Sequence, residues 1–596
     1  MIGYHLRNSI FWIRWATYLL LLLCSTSVVW ADWPEHRGNL QRTGYREQAL
    51  NSTHWVPFWR HDSLSPPEPA WPAPAKGSLW QKLDKIEARV TDDMADVPLV
   101  VLDSEGHSHV LITSSANDRL ISVNPLTGKT RWQFFTQGPI RYAPSVLAGI
   151  AYLGSDDGLV RAIDISNGKQ IWQTRIGPAM PSIIGNERLI SPHPIRTSVL
   201  VEDGQVFATA GLFPSQGVYS VALKRSTGEI VWRRKITQSP QGYLLADAGK
   251  IFIPTGRSEP FAAKKTNGSF LFKLPSPGGS FCMLTPDAFF AGTGNSSRIQ
   301  GKAKKSNAKM LSFQGKQFAA GNGKIWTTNG SNLVGHDMQS VLRGEKSLNW
   351  SVDCKLDQSL IVSGQVGNLT LFVAGGSKIK LYDAQTGQSR GTLSIDDPSA
   401  KIKYLAVSRL PDAKQEVLVA STRSGKVFAW RGAESGESSV WPKPVQRKVE
   451  FESNKRIATK RIEAVRRILK SPRGWALVLE DHDGQVVNAL LQQTELRVVS
   501  LATDEKVVQR LQNEFQEKGQ YGHRVTVWRH DTANPLPFSK GLFNLVLEAM
   551  PVPLSDSELL EFAAAESGFL WRVGYENPLQ APRLAGAGVW RHQYGN

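Results

Sequence analysis

The sequence predicts a mainly β protein, a ring of four-stranded blades (a β-propeller) followed by a smaller α/β domain. Three observations carry that prediction. A Gly-turn and Trp signature recurs at a fixed spacing through the first half of the chain. Beyond about residue 445, apolar strands alternate with helical patterns instead. The composition, 41% hydrophobic and 20% charged with only three Cys in 596 residues, is that of folded protein without a disulfide or metal-thiolate framework.

Residues 1–31 read as a secretory signal peptide. Arg7 and Arg14 precede a charge-free stretch from Trp15 to Ala31, and Val29-Trp30-Ala31 offers a small-x-small cleavage site. The apolar run is short for a membrane helix of ~20 residues, so an uncleaved anchor is the secondary reading. Cys24 would suit a lipoprotein, but Leu23 occupies the position where a small residue belongs. Export leaves Cys282 and Cys354, which are free either to pair or to remain two buried thiols.

A lead-in over 32–98 contains Trp33, Trp55, Trp59, Trp71 and Trp80. The ring is then predicted over 99–435. SVNPLTGKTRW (122–132), AIDISNGKQIW (162–172) and ALKRSTGEIVW (222–232) each place Gly four residues before Trp. The structural repeat residues are therefore Gly128, Trp132, Gly168, Trp172, Gly228 and Trp232. AAKKTNGSFLF (262–272) has Phe272 in the Trp slot, and LYDAQTGQSRG (381–391) keeps only Gly387. Gly supplies the positive φ of a turn, and the following strand delivers Trp between neighbouring sheets. Gly128 and Gly168 are 40 residues apart, as are Gly228 and Gly268, whereas 60 separate Gly168 from Gly228, which implies an insertion. Four strands per ~40–45 residues is the period of a propeller blade. Eight blades are counted; seven is the alternative, because 310–350 is poorly patterned.

The turn signature resembles the pyrroloquinoline quinone (PQQ)-like propeller repeat. DWPEHRGNLQRTGY (32–45) is similar to the opening found ahead of such propellers, and 188–223 resembles one subgroup of exported bacterial proteins. The resemblance implies either a quinoprotein dehydrogenase or a cofactor-free scaffold such as an outer-membrane assembly factor. The dehydrogenases carry adjacent cysteines and a Glu/Asn/Asp calcium site. Cys282 and Cys354 are not adjacent and no such triad is assigned, so the scaffold is the expected function and PQQ is disfavoured.

A basic linker over 436–461 leads into 462–585, where WALVLE, LRVVSLA, RVTVWRH and FNLVLEA read as strands and QVVNALL and DEKVVQRLQNEFQEKG as helices. The order predicts a Rossmann-like parallel sheet and resembles a class I S-adenosylmethionine methyltransferase. The resemblance implies cofactor contacts at Gly484 and Asp531. It also implies a spoiled site, since Glu480 and His482 replace two glycines and Ala502 stands where the ribose-binding acid belongs. No catalytic or metal-binding residue is assigned. Asp481, His482 and Asp483 are consecutive and cannot converge on one ion from a regular element, and His107 and His109 lack a third ligand.

Trp590 to Asn596 echoes Trp33 to Asn39, so 586–596 reads as the start of a further propeller segment and the chain as the front of a longer ancestral protein. The net charge of +18 resolves into +2 on 1–30, +14 on 31–444 and +2 beyond. The basic residues are scattered rather than set on one face, which argues against nucleic acid. The expected partner is a protein or another envelope component, with an anionic one sought at the ring, and peripheral membrane contact is compatible with the charge. The expected location is the periplasm.

Overall fold

The computed structural model describes residues 33–48, 50–62, 94–185, 187–256, 258–274, 281–292, 298–304, 311–345, 347–443, 456–469 and 473–583. The signal-peptide reading, Trp71, Trp80, residues 444–455 of the basic linker and the C-terminal echo lie outside them.

Eight blade sheets follow one another in chain order, antiparallel within their blade strands, and the seventh also takes the lead-in strand Tyr45–Glu47 parallel to Ser359–Gln365. Blades one to seven span 99–135, 145–175, 200–236, 245–273, 281–314, 317–353 and 359–394. The eighth holds three strands, Ile402–Leu410, Gln415–Thr422 and Val427–Ala433, and takes its fourth from the lead-in, His54–His61, paired antiparallel to Val427–Ala433. The two ends of the ring are thus hydrogen-bonded to each other. The eight sheets remove the seven-blade alternative, and 310–350 turns out to hold blade six.

The repeat builds blades one to four and six in the same way. The outermost strand carries a β-bulge just before the wedge residue, recorded between Gln170 and Trp172 and in register opposite Trp132, Trp232, Phe272 and Trp350. A bulge re-aims the side chain that follows it. The cross-strand partner of each wedge is small: Ser122, Ala162, Ala222, Ala262 and Gly335. A large residue there would hold the ring away from the sheet. The indole instead lies over the turn glycine of the next blade. A Cβ on Gly168 would come within 2.6 Å of Trp132, and φ +73° at Gly168 already disfavours any side chain.

The predicted insertion between Gly168 and Gly228 is a hairpin, Ile183–Gly185 with Arg188–Ile190. It reaches across to the second domain, a six-stranded sheet. From one edge its strands are Val525–Arg529, Arg497–Ala502, Trp475–Leu479, Leu545–Glu548, Phe569–Trp571 and Leu579–Gln580. The first five are parallel and the last is antiparallel. Helices Arg456–Ile468, Gln485–Gln493 and Glu505–Glu517 pack on it, the last capped by Asp504, which accepts from the amide of Lys506.

The two units are joined by ordered contacts. Ser182 donates its amide to Pro537 O at 2.8 Å and accepts from the Ser539 amide at 3.0 Å. Asn117 Nδ2 donates to Tyr521 O at 3.0 Å, and Arg497 Nη2 of the second domain meets Glu187 of the hairpin at 2.6 Å. Within the propeller, Arg188 Nη2 holds this hairpin to Asp118 of blade one at 2.5 Å with both side chains buried. Phe135 of blade one packs edge-on against Tyr521, ring centres 4.6 Å apart. Among the described residues, no helix is long and apolar enough to cross a membrane.

Candidate functional site

Propellers commonly place ligands on the ring axis, and here the axis is lined by the first strand of each blade. Those of blades two and three, four and five, six and seven, seven and eight, and eight and one lie against each other. The lead-in threads this space. Trp33 donates its amide to Val100 O of blade one, and Pro34 O accepts from Val146 of blade two. Leu40, Gln41, Thr43 and Gly44 offer their carbonyls to Ala246, Leu284, Ala320 and Val362, on blades four to seven in turn. The chain therefore fills its own axis and satisfies inner-strand amides that would otherwise lack partners.

The side chains of this segment form a sealed polar cluster. Arg42 bridges Glu35 and donates through Nε to Leu244 O at 3.1 Å, while Ser145 Oγ donates to Glu35 at 2.8 Å. Burial raises the Glu35 carboxyl above its ordinary value against the opposing pull of Arg42. Arg37 donates to Arg42 O at 2.8 Å and to Phe318 O of blade six. The His36 ring stacks on Tyr243 with centres 3.9 Å apart, and Tyr404 meets it edge-on. Burial, then Arg37 and Arg42, hold His36 well below its ordinary pKa, so it stays neutral.

These residues do not fit a planar quinone. The axial space is occupied by the lead-in, with the flat face of Tyr243 covered by His36. Cys282 and Cys354 are free thiols in separate hydrophobic clusters, which decides the alternative left open by the sequence. Among the described residues, no group of three His, Cys, Asp or Glu side chains could hold a metal ion. His107 and His109 both lie 3.2 Å from Asp103 Oδ2, and His109 also meets Ser122 and Arg131.

The second candidate is the turn after Trp475–Leu479. Glu480, at φ +53°, is buried. It accepts from the Thr503 hydroxyl at 2.6 Å, and His482 Nε2 lies 2.7 Å from its other oxygen. Asp481 is also buried and accepts from the amides of Val486 and Val487 at the start of Gln485–Gln493. Burial pushes its carboxyl up to about 7, with Asp483 adding to the rise and the two amides opposing it. Gly484 sits at φ +73°, which disfavours any side chain, and a Cβ there would also approach Leu511 Cδ2 to 2.8 Å. Ala502 is buried, and Asp531 is exposed with its carboxylate accepting from its own turn at Ala533. Glu480, Thr503 and His482 are thus tied to one another in the turn, while Leu511, Asn488 and Phe515 surround Gly484.

Residues 106–274, within blades one to four, match the family model described as outer membrane protein assembly factor BamB. The BamB of Yersinia pestis is 27% identical over 168 residues, 27% of this chain and 40% of that protein. The quinohemoprotein alcohol dehydrogenase of Comamonas testosteroni superposes with a TM-score of 0.50 at 11% identity, covering 74% of this chain and 86% of its own. The ring is an eight-bladed, PQQ-like, BamB-type propeller. The chain spans two fifths or less of the curated relatives it matches. One of these is the lanthanide-dependent methanol dehydrogenase of Methylacidiphilum fumariolicum (strain SolV), 39% identical over 67 residues, 11% of this chain and 10% of that enzyme.

In this BamB-type ring the repeat residues stand at blade junctions. Trp132, Trp172 and Trp232 donate Nε1 to Ile165 O, Arg225 O and Lys265 O, each three residues before the glycine they cover. Sequence reasoning missed three participants. Trp59 and Trp350 cover Gly128 and Gly387, and His36 occupies the axis. For Trp350 a signal existed, since it precedes its glycine by 37 residues where Trp132 and Trp232 precede theirs by 36.

Proposed function

We propose that this chain is an exported, non-catalytic propeller scaffold of the cell envelope that binds another protein. Its C-terminal sheet is, on this reading, a methyltransferase-like unit that serves structure instead of methyl transfer. The observation that carries the reading is the filled axis, where His36 stacks on Tyr243 and Arg42 pairs with Glu35 in the space a ligand would need. Two further points support it. The match to outer membrane protein assembly factor BamB lies in the blades that bear the docked domain, and the turn at Glu480 is closed by its own hydrogen bonds. The name of the relatives, outer membrane protein assembly factor, gives the protein-binding role its precedent.

Calorimetry of the full chain with S-adenosylmethionine, and separately with PQQ plus calcium, tests the reading. No heat of binding at micromolar protein is expected from either. Micromolar binding of either ligand restores the enzyme reading, as a methyltransferase or as a quinoprotein oxidoreductase respectively.

A further inference from the structure

A cleft of about 1450 Å³ lies between the outer strands of blades one and two and the helix Glu505–Glu517. It is separate from the axis and from the turn at Glu480. All six residues of Thr130–Phe135 line it, and this strand is the last in its sheet, so one edge carries no strand partner. An unpaired edge presents a row of backbone donors and acceptors. Gln512 and Asn513 stand on the opposite wall, where Gln133 reaches across to Asn513 at 2.5 Å.

The charge of the lining is lopsided. Eight of its residues are Lys or Arg and three are Asp or Glu. Several of these cations are already neutralised, Arg161 by Asp157 and Arg60 by Asp62. Lys129, Arg131 and Lys169 are different. All three are exposed, and none is in an ion pair with a carboxylate among the described residues, although Arg131 also donates to Ser108 O and meets His109. They follow the turn glycines of neighbouring blades, Gly128 and Gly168, so the repeat itself sets two cationic turns side by side along the cleft.

We infer that this cleft binds an extended acidic polypeptide segment of another protein. The volume exceeds the ~300–1,000 Å³ usual for a small ligand. The free strand edge supplies main-chain partners to an extended peptide, and the unpaired cations supply the charge complement. The inference rests on the scaffold reading and names the chemistry of its partner.

Fluorescence anisotropy of the full chain with a labelled peptide of alternating Glu and Val, about twelve residues long, tests it. The peptide is expected to bind at low salt and to weaken as salt rises, with the Gln/Val counterpart at least about tenfold weaker. Lys129→Glu with Lys169→Glu is expected to lower affinity at least about tenfold, while Lys264→Glu with Lys378→Glu, exposed on blades four and seven, leaves it unchanged. No binding of the Glu peptide, or equal losses from both pairs, overturns the inference. Tighter binding of anionic phospholipid vesicles or single-stranded DNA, abolished by the Lys129/Lys169 pair, overturns it in favour of those ligands. Calorimetric binding of a cofactor sinks the scaffold reading whatever the peptide does. Absent peptide binding with silent calorimetry sinks the cleft assignment alone.

Discussion

Trp59 lies across Gly128 and donates its Nε1 to Pro125 O at 2.6 Å, and this contact joins the last blade of the ring to the first. It repeats the relationship between Trp132 and Gly168, but Trp59 comes from the lead-in, 69 residues before its glycine. Within blades one to four, wedge and glycine come in chain order from successive blades. At the closure the wedge must come from the strand His54–His61, because that strand completes blade eight.

Removing that wedge opens the ring. Trp59→Ala is expected to destabilise the protein by about 3–5 kcal/mol, as for other buried Trp truncations, and by no less than Trp132→Ala. Chemical denaturation followed by far-ultraviolet circular dichroism measures both. A cost under about 0.5 kcal/mol for Trp59→Ala would show that the strand, without its indole, closes the ring.

The hairpin that meets the α/β domain is held to blade one by a buried charge pair. Arg188 joins Asp118, with side chains 5% and 1% exposed, and also donates to Ser115 O. Arg188→Ala leaves Asp118 buried without its cation, at a cost of about 3–5 kcal/mol. The loss should appear first as faster protease cleavage between the units, or as a separate early unfolding transition. An unchanged cleavage rate would show that the hairpin keeps its seat on blade one without the pair.

Stability should depend on pH through Asp481. Its ordinary value is 3.8, and folding raises it to about 7. Between these values the folded state keeps a proton that the unfolded chain has released. The stabilisation is therefore complete below pH ~4 and is lost as pH rises to ~7. Relative to Asp481→Asn, which cannot ionise, the parent should lose about 2–4 kcal/mol across that window. Parallel profiles for the two proteins would remove Asp481 as the cause.

Cys282 and Cys354 should resist modification while the protein is folded. They are 4% and 0% exposed, and burial raises the Cys282 thiol, so little reactive thiolate forms. Mass spectrometry after alkylation is expected to find neither modified in native buffer and both modified in denaturant. Labelling of native Cys354 would place its cluster within reach of solvent.

The sequence alone determined what is local or periodic. Turn glycines, wedge indoles and the strands around them recur at fixed spacing, because every blade solves the same packing problem with the same short segment. The alternating strands and helices after about residue 470 were legible for a similar reason, since each element carries its own hydrophobic period. The closure, the axis and the seating of the hairpin on blade one were decided only in three dimensions. Trp59 and Gly128, His36 and Tyr243, and Arg188 and Asp118 are brought together from 69, 207 and 70 residues apart, and nothing local to either partner marks the other. Gly484 shows the same limit from the other side. Its glycine is legible as a turn, but the close approach of Leu511 exists only once two helices have packed on one sheet.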